Sequence, residues 1–247
     1  IPHEQLLERV KEKVSDGRVI KLITSYLEQG VMEELASWTP TAGTPQGAVI
    51  SPLLSNIYLD PLDHLTAARG MEMVRYADDF VILCRTEAEA RQALAWVTQW
   101  TTANGLSLHP EKTRIVDATI RGGFDFLGYH FERGYRWPRP KSIKKLRDTI
   151  RRKTRRANGH ALLVIIADVN RTLAGWFEYF KHSHHTTFRQ QDSWVRMRLR
   201  SILRKRHRLT GRGRGADHQR WPNTFFATHE LFSLAAAHEL LCQPSRR

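Results

Sequence analysis

The chain has 247 residues, 41% of them hydrophobic, enough to bury the core of one large domain or two small ones, which excludes wholesale disorder. Cys84 and Cys242 are the only cysteines, which excludes a disulfide scaffold and predicts free thiols in the cytoplasm; no apolar run reaches the ~20 residues of a membrane span. The net charge of +14 is uneven: residues 1–135 hold 13 basic and 18 acidic side chains, net −5, whereas 136–247 hold 26 and 7, net +19, which predicts a polyanionic partner for the second part.

Leu6, Leu7, Val10 and Val14 recur at helical spacing, as do Val19, Ile20, Ile23 and Leu27, predicting two helices on either side of Asp16-Gly17 and a stop at Gly30. Val31–Trp38 reads as a strand, and Thr39–Gly47 as a Gly/Pro loop. Pro52 suits the first turn of a helix through Leu53, Leu54, Ile57 and Leu62, with Ser51 as its N-cap and Pro61 a source of a kink. Met71–Tyr76 and Phe80–Cys84 read as the strands of a hairpin around Ala77-Asp78-Asp79. Thr86 caps a helix through Ala90, Leu94, Val97 and Trp100 that Asn104-Gly105 closes; Thr113–Val116 and Phe124–Phe131 read as further strands. From Pro138 onward the pattern turns helical and basic, with helices expected over Ser142–Arg156, His160–Phe180 and Thr187–Arg208, then a basic link at 212–215 and an apolar tail, Trp221–Leu241.

Asp78 and Asp79 carry the clearest chemistry. Successive strand residues face opposite ways, so two acids mid-strand would bury one of them at a cost; at a hairpin tip both can reach a hard cation such as Mg²⁺. A β-turn that simply uses Asp is the plainer alternative. The loop Thr44–Gly47 precedes a helix N-terminus, where backbone N–H groups favour phosphate, and Gln46 offers an amide to a base or sugar. Gly128 permits close backbone approach beside Phe126 and Leu127, although Phe-Leu-Gly-Tyr alone is ordinary core strand. His182, His184 and His185 lack a Cys pair or carboxylate at ligand spacing and read as a helix-end loop, not a zinc site.

These residues resemble a known family. Tyr76-Ala77-Asp78-Asp79 resembles the metal-binding motif of reverse transcriptases, and the run Gly43–Leu59 is similar to the palm loop and helix of the group II intron-encoded members. Glu111-Lys112-Thr113, Phe124–Tyr129, and Leu173–Phe180 in the basic part are similar to later motifs of the same family, the last to the core of its maturase domain. The resemblance implies an α+β fold: a partial reverse-transcriptase palm, an antiparallel sheet with helices, over 1–135; a basic α-helical thumb/maturase bundle over 136–210; and a basic linker and nucleic-acid-binding tail over 211–247.

It further implies RNA-directed DNA polymerase and intron maturase functions, with Asp78 and Asp79 as catalytic Mg²⁺ ligands and Pro45, Gln46, Gly47 and Tyr76 against nucleotide and template. Phe126, Leu127 and Gly128 become a primer grip, and Lys144, Lys145, Arg151, Arg152, Arg155, Arg196, Arg200 and Arg204 nucleic-acid contacts. The implied partners are intron RNA, a template–primer duplex and dNTP, with target DNA a further candidate and no membrane. A third metal-binding Asp belongs to an earlier palm strand in this family, and the sequence opens where that strand would end. The fingers and that strand are therefore expected to be missing, and the chain is expected not to polymerise alone. A non-catalytic RNA-binding maturase and a domesticated reverse transcriptase are the alternatives left open.

Overall fold

The computed structural model describes residues 1–28, 31–33, 36–38, 49–210 and 215–243, and the chain divides into two compact units, Ile1–Ile115 and Val116–Arg247. It is a mixed fold of helices and small antiparallel sheets.

The first unit begins with helices α1 (His3–Lys13) and α2 (Gly17–Leu27). Asp16 caps α2 by accepting from the Arg18 N–H at 2.8 Å. Strands β1 (Val31–Glu33) and β2 (Ala36–Trp38) pair antiparallel, with Val31 opposite Trp38. The single strand expected over Val31–Trp38 is therefore two short strands paired with each other. Helix α3 (Ser51–Ala68) has Ile50 as its N-cap, without a side-chain cap bond, so Ser51 is its first residue and not its cap. Pro61 removes one helical N–H, yet the helix continues to Ala68.

Leu6, Val10, Ile23, Leu27, Leu54, Tyr58 and Leu59 form the core between these helices. Strands β3 (Glu72–Tyr76) and β4 (Asp79–Leu83) make the expected hairpin. Helix α4 (Glu87–Ala103) starts at Thr86, whose hydroxyl accepts from the Glu89 N–H, while the Glu89 carboxylate accepts from the Arg85 N–H at 2.8 Å. The buried Tyr58 hydroxyl lies 2.6 Å from Gln5 Oε1 and 2.5 Å from the Asn104 carbonyl, joining the start of α1 to the end of α4. Thr113–Val116 forms no strand: its β-propensity finds no ladder partner among the described residues.

The second unit opens with a three-stranded meander, β5 (Phe124–Phe126), β6 (Tyr129–Glu132) and β7 (Tyr135–Pro138). The strand expected over Phe124–Phe131 is thus two strands, because the chain reverses at Leu127-Gly128. Helices α5 (Pro140–Lys153), α6 (Leu162–Phe180) and α7 (Thr186–Arg206) follow, close to their expected bounds. They share a core of Leu146, Ile150, Ile166, Val169, Leu173, Phe188, Val195 and Leu199. The tail forms α8 (Ala216–Arg220), α9 (Asn223–Thr228) and α10 (Leu234–Cys242) and packs into the same core through Trp221, Phe226 and Leu234. The buried Asp192 carboxylate accepts from the Ser233 hydroxyl and the Leu234 and Ala235 N–H groups, which ties the start of α10 to α7. No helix among the described residues is long and apolar enough to cross a membrane.

Candidate functional site

In the first unit the hairpin brings Tyr76, Asp78 and Asp79 to one turn. Tyr76 pairs with Asp79, so Ala77 and Asp78 alone make the reversal. Ala77 takes φ +54°, a left-handed conformation that non-glycine residues seldom adopt. Both Asp side chains are exposed, and neither makes a hydrogen bond or ion pair among the described residues. They are two hard oxygen donors on adjacent residues, a donor set that fits Mg²⁺. Among the described residues no three His, Cys, Asp or Glu side chains are grouped so as to hold a metal ion. Tyr76 is 67% exposed on the outer face of β3. Pro45, Gln46 and Gly47 lie outside the described residues.

Arg75 carries no task in any sequence motif, yet it stands on the inner face of β3 with Met73. Its Nε donates to Asp63 Oδ1 at 2.8 Å and its Nη2 to Asp63 Oδ2, while Nη1 donates to Asn56 Oδ1 at 2.9 Å and to the Ala77 carbonyl at 2.8 Å. The hydrogen bond to Asp63 raises the Arg75 pKa above its ordinary value. A charge on the inward positions of a strand needs a partner, and that alternation was the available signal.

In the second unit Phe126 closes β5, and Leu127 and Gly128 make the turn to β6 with φ +46° and +81°, both left-handed as a type I′ turn requires. Both carbonyls of this turn are bonded. The Tyr179 hydroxyl donates to Leu127 O at 2.7 Å; Ser142 Oγ and the Arg139 N–H donate to Gly128 O at 3.1 and 2.9 Å. Tyr129 packs on Phe180 with ring centroids 5.0 Å apart, and burial pushes its phenol pKa up.

The basic side chains separate into two groups. Lys144, Lys145, Arg151, Arg152 and Arg155 on and after α5 are exposed, and Arg196 on α7 is half-buried. Arg147 and Arg151 lie over the Trp194 ring, at 5.3 and 5.7 Å from its centroid, a stacked arrangement the helical period did not reveal. Arg152, Arg155, Asn158 and His160 line a cavity of about 490 Å³ at the α5–α6 connection. Arg200, by contrast, is 5% exposed, with Nε bonded to the Trp221 carbonyl at 2.9 Å and Nη2 to Asn223 Oδ1 at 3.0 Å. Desolvation lowers its pKa. Arg204 pairs with the buried Asp217 at 2.6 Å. The guanidinium groups of these two arginines are directed into the fold.

His182, His184 and His185 stand between α6 and α7, with His184 beside the Tyr135 and Trp137 rings. His238 on α10 packs on Phe188; burial, then the charge of His185, lowers its pKa.

Residues 1–131, more than half of the chain, match the family model for reverse transcriptase (RNA-dependent DNA polymerase), and residues 143–221 match that for the group II intron maturase-specific domain. The chain is 26% identical over 177 residues to an uncharacterised 91 kDa protein in a cob intron of Schizosaccharomyces pombe, covering 48% of this chain and 22% of that one. It is 36% identical over 75 residues to the group II intron-encoded protein LtrA of Lactococcus lactis subsp. cremoris, covering 30% of this chain and 12% of LtrA. Similarity to a putative COX1/OXI3 intron 1 protein of Saccharomyces cerevisiae runs over 273 residues at 24% identity, covering 86% of this chain and 32% of that protein. The chain therefore spans less than half the length of these curated relatives.

Proposed function

Because this chain belongs to the reverse transcriptase family, among the group II intron-encoded members, we propose that it serves RNA-directed DNA synthesis and intron RNA splicing in the cytoplasm. The observation that carries the polymerase reading is the pair Asp78 and Asp79: exposed, adjacent, and without a protein partner among the described residues. They would hold Mg²⁺, which when bound supplies activation of the attacking hydroxyl and stabilisation of the leaving oxygen. Tyr76, with Pro45, Gln46 and Gly47, faces nucleotide and template in this reading; Phe126, Leu127 and Gly128 support the primer.

We assign contact with intron RNA and the template–primer duplex to the exposed Lys144, Lys145, Arg151, Arg152 and Arg155 and to Arg196; Arg200 and Arg204 serve the fold. A-form duplexes are recognised largely by shape and backbone, which suits cationic side chains over a rigid core. Residues 1–135 act as palm, 136–210 as thumb and maturase bundle, and 211–247 as a nucleic-acid-binding tail. Target DNA is a further partner in this reading.

The second reading, an RNA-binding maturase without polymerase activity, is favoured by one observation: residues 143–221 match the group II intron maturase-specific domain. Two assays on the full chain separate the readings: binding of a group II intron RNA across a salt series, and Mg²⁺-dependent primer extension by the parent and by the Asp78→Asn/Asp79→Asn variant. Binding without extension would support the maturase alone. Extension that the double variant loses establishes the polymerase, and extension that survives it removes the Asp pair from catalysis. Failure to bind RNA would refute both readings.

A further inference from the structure

Arg75 spends its guanidinium group in an unusual direction for a basic residue in a protein with net charge +14. Its side chain is 11% exposed, so it is not a surface cation awaiting a phosphate. Two side chains of α3 fix the guanidinium plane: Asp63 takes Nε and Nη2 as a fork, and Asn56 takes one hydrogen of Nη1. The remaining bond of Nη1 reaches the Ala77 carbonyl at 2.8 Å. That oxygen belongs to the peptide joining Ala77 to Asp78. Fixing it fixes the plane from which the Asp78 side chain departs, next to a residue whose φ of +54° needs support from its surroundings.

Charge gives the arrangement a second consequence. Asp63, and neither Asp78 nor Asp79, takes the guanidinium fork, so the exposed pair has no ion pair among the described residues.

We propose that Arg75, held by Asn56 and Asp63, is a positioning residue that locks the Ala77–Asp78 peptide to α3 and keeps the Asp78–Asp79 pair preformed and open for a divalent cation. The cation half of this statement rests on the polymerase reading above; the locking half does not. Lysine at position 75 keeps the charge, but a single ammonium cannot hold Asp63, Asn56 and the Ala77 carbonyl with a planar fork.

The test uses the full chain and three variants, Arg75→Lys, Asn56→Ala and Asp63→Asn, the last two at residues linked to the Ala77 carbonyl through Arg75. Amide hydrogen exchange across Ala77–Asp79 reads the lock directly, and melting temperature with circular dichroism confirms that each variant is folded. Mn²⁺ titrated by electron paramagnetic resonance, with the Asp78→Asn/Asp79→Asn variant as the blank, reads the cation. In Arg75→Lys, turn exchange should rise about tenfold or more, as expected for losing a charge-assisted hydrogen bond, and Asn56→Ala should reproduce the direction. Pair-dependent Mn²⁺ affinity should fall about tenfold or more, as for other groups that orient a metal ligand.

Parental turn exchange in both Arg75→Lys and Asp63→Asn would overturn the lock. Faster exchange with unchanged pair-dependent Mn²⁺ affinity would overturn the positioning role. Faster exchange in variants of a parent that shows no pair-dependent Mn²⁺ binding would uphold the lock and refute the cation reading of the Asp pair.

Discussion

Replacing Arg200 with methionine should destabilise the second unit by about 2–4 kcal/mol and leave the salt dependence of RNA binding unchanged. The charged guanidinium makes two hydrogen bonds, to the Trp221 carbonyl and Asn223 Oδ1, each contributing about 1.5–3 kcal/mol. It also lies over the Phe226 ring, 5.1 Å from the centroid, for about 1 kcal/mol more. Against these stands the cost of keeping a cation at 5% exposure, several kcal/mol for a buried ion, which the variant no longer bears. Methionine refills most of the stem volume, so the bonds outweigh the desolvation only modestly. For a unit of this size each kcal/mol moves Tm by about 3–5 °C, so a fall of about 10 °C is expected in differential scanning calorimetry. The exposed Arg155→Met should do the reverse, moving stability by less than about 0.5 kcal/mol. It should also lower the slope of log K against log salt by about 0.7–0.9, the amount carried by one phosphate. A parental Tm for Arg200→Met, combined with a salt slope as shallow as that expected of Arg155→Met, would refute the division of the arginines.

Asp192→Ala should cost about 3–5 kcal/mol in urea unfolding, because a charged acceptor of three hydrogen bonds is removed and the N–H of buried Leu234 is left unsatisfied; a cost below about 1 kcal/mol would mean that α10 docks without it. Gly128→Ala should cost about 1–2 kcal/mol through its φ of +81° alone, since the added methyl group meets Ser142 Oγ at an ordinary 3.5 Å; an equal stability by the same measurement would show that the turn tolerates side chains. His238 favours its neutral form in the fold, through burial and the charge of His185, then His182 and His184, with Glu239 opposing. The unfolded chain therefore takes up the proton first, and stability is lost as pH falls below about 6.5 through the lower folded value. Melts between pH 8 and 5 should show this loss reduced in His238→Gln, and equal slopes in both proteins would exclude His238 as the source.

Local signals were the ones the sequence transmitted best. Helix α4 was legible from Thr86 to Asn104-Gly105 because its cap, its apolar period and its stop are all written within the segment. The β3–β4 hairpin was legible for the same reason, from alternation on both sides of Asp78-Asp79. Features that depend on distant partners were not. Thr113–Val116 has strand-like composition but pairs with no strand among the described residues. Arg200 and Arg204 look like Arg196 on a helical projection, and only the return of Trp221, Asn223 and Asp217 to α7 distinguishes them. The bonds of Arg75 reach across 12 and 19 positions to α3, a distance no local period spans.

The doubly bonded turn at Leu127-Gly128 bears on how this protein can be dissected. A cut guided by charge, at 135/136, would fall inside the ladder that pairs Glu132 with Tyr135 and Tyr129 with Pro138. It would also leave Tyr129 on one fragment and its ring partners Tyr179 and Phe180 on the other. A cut between Ile115 and Val116 keeps the meander, the turn and the helices that hold its carbonyls in a single piece. Fragment expression, isotope labelling by segments and domain exchange with a relative would all preserve this packing at that junction.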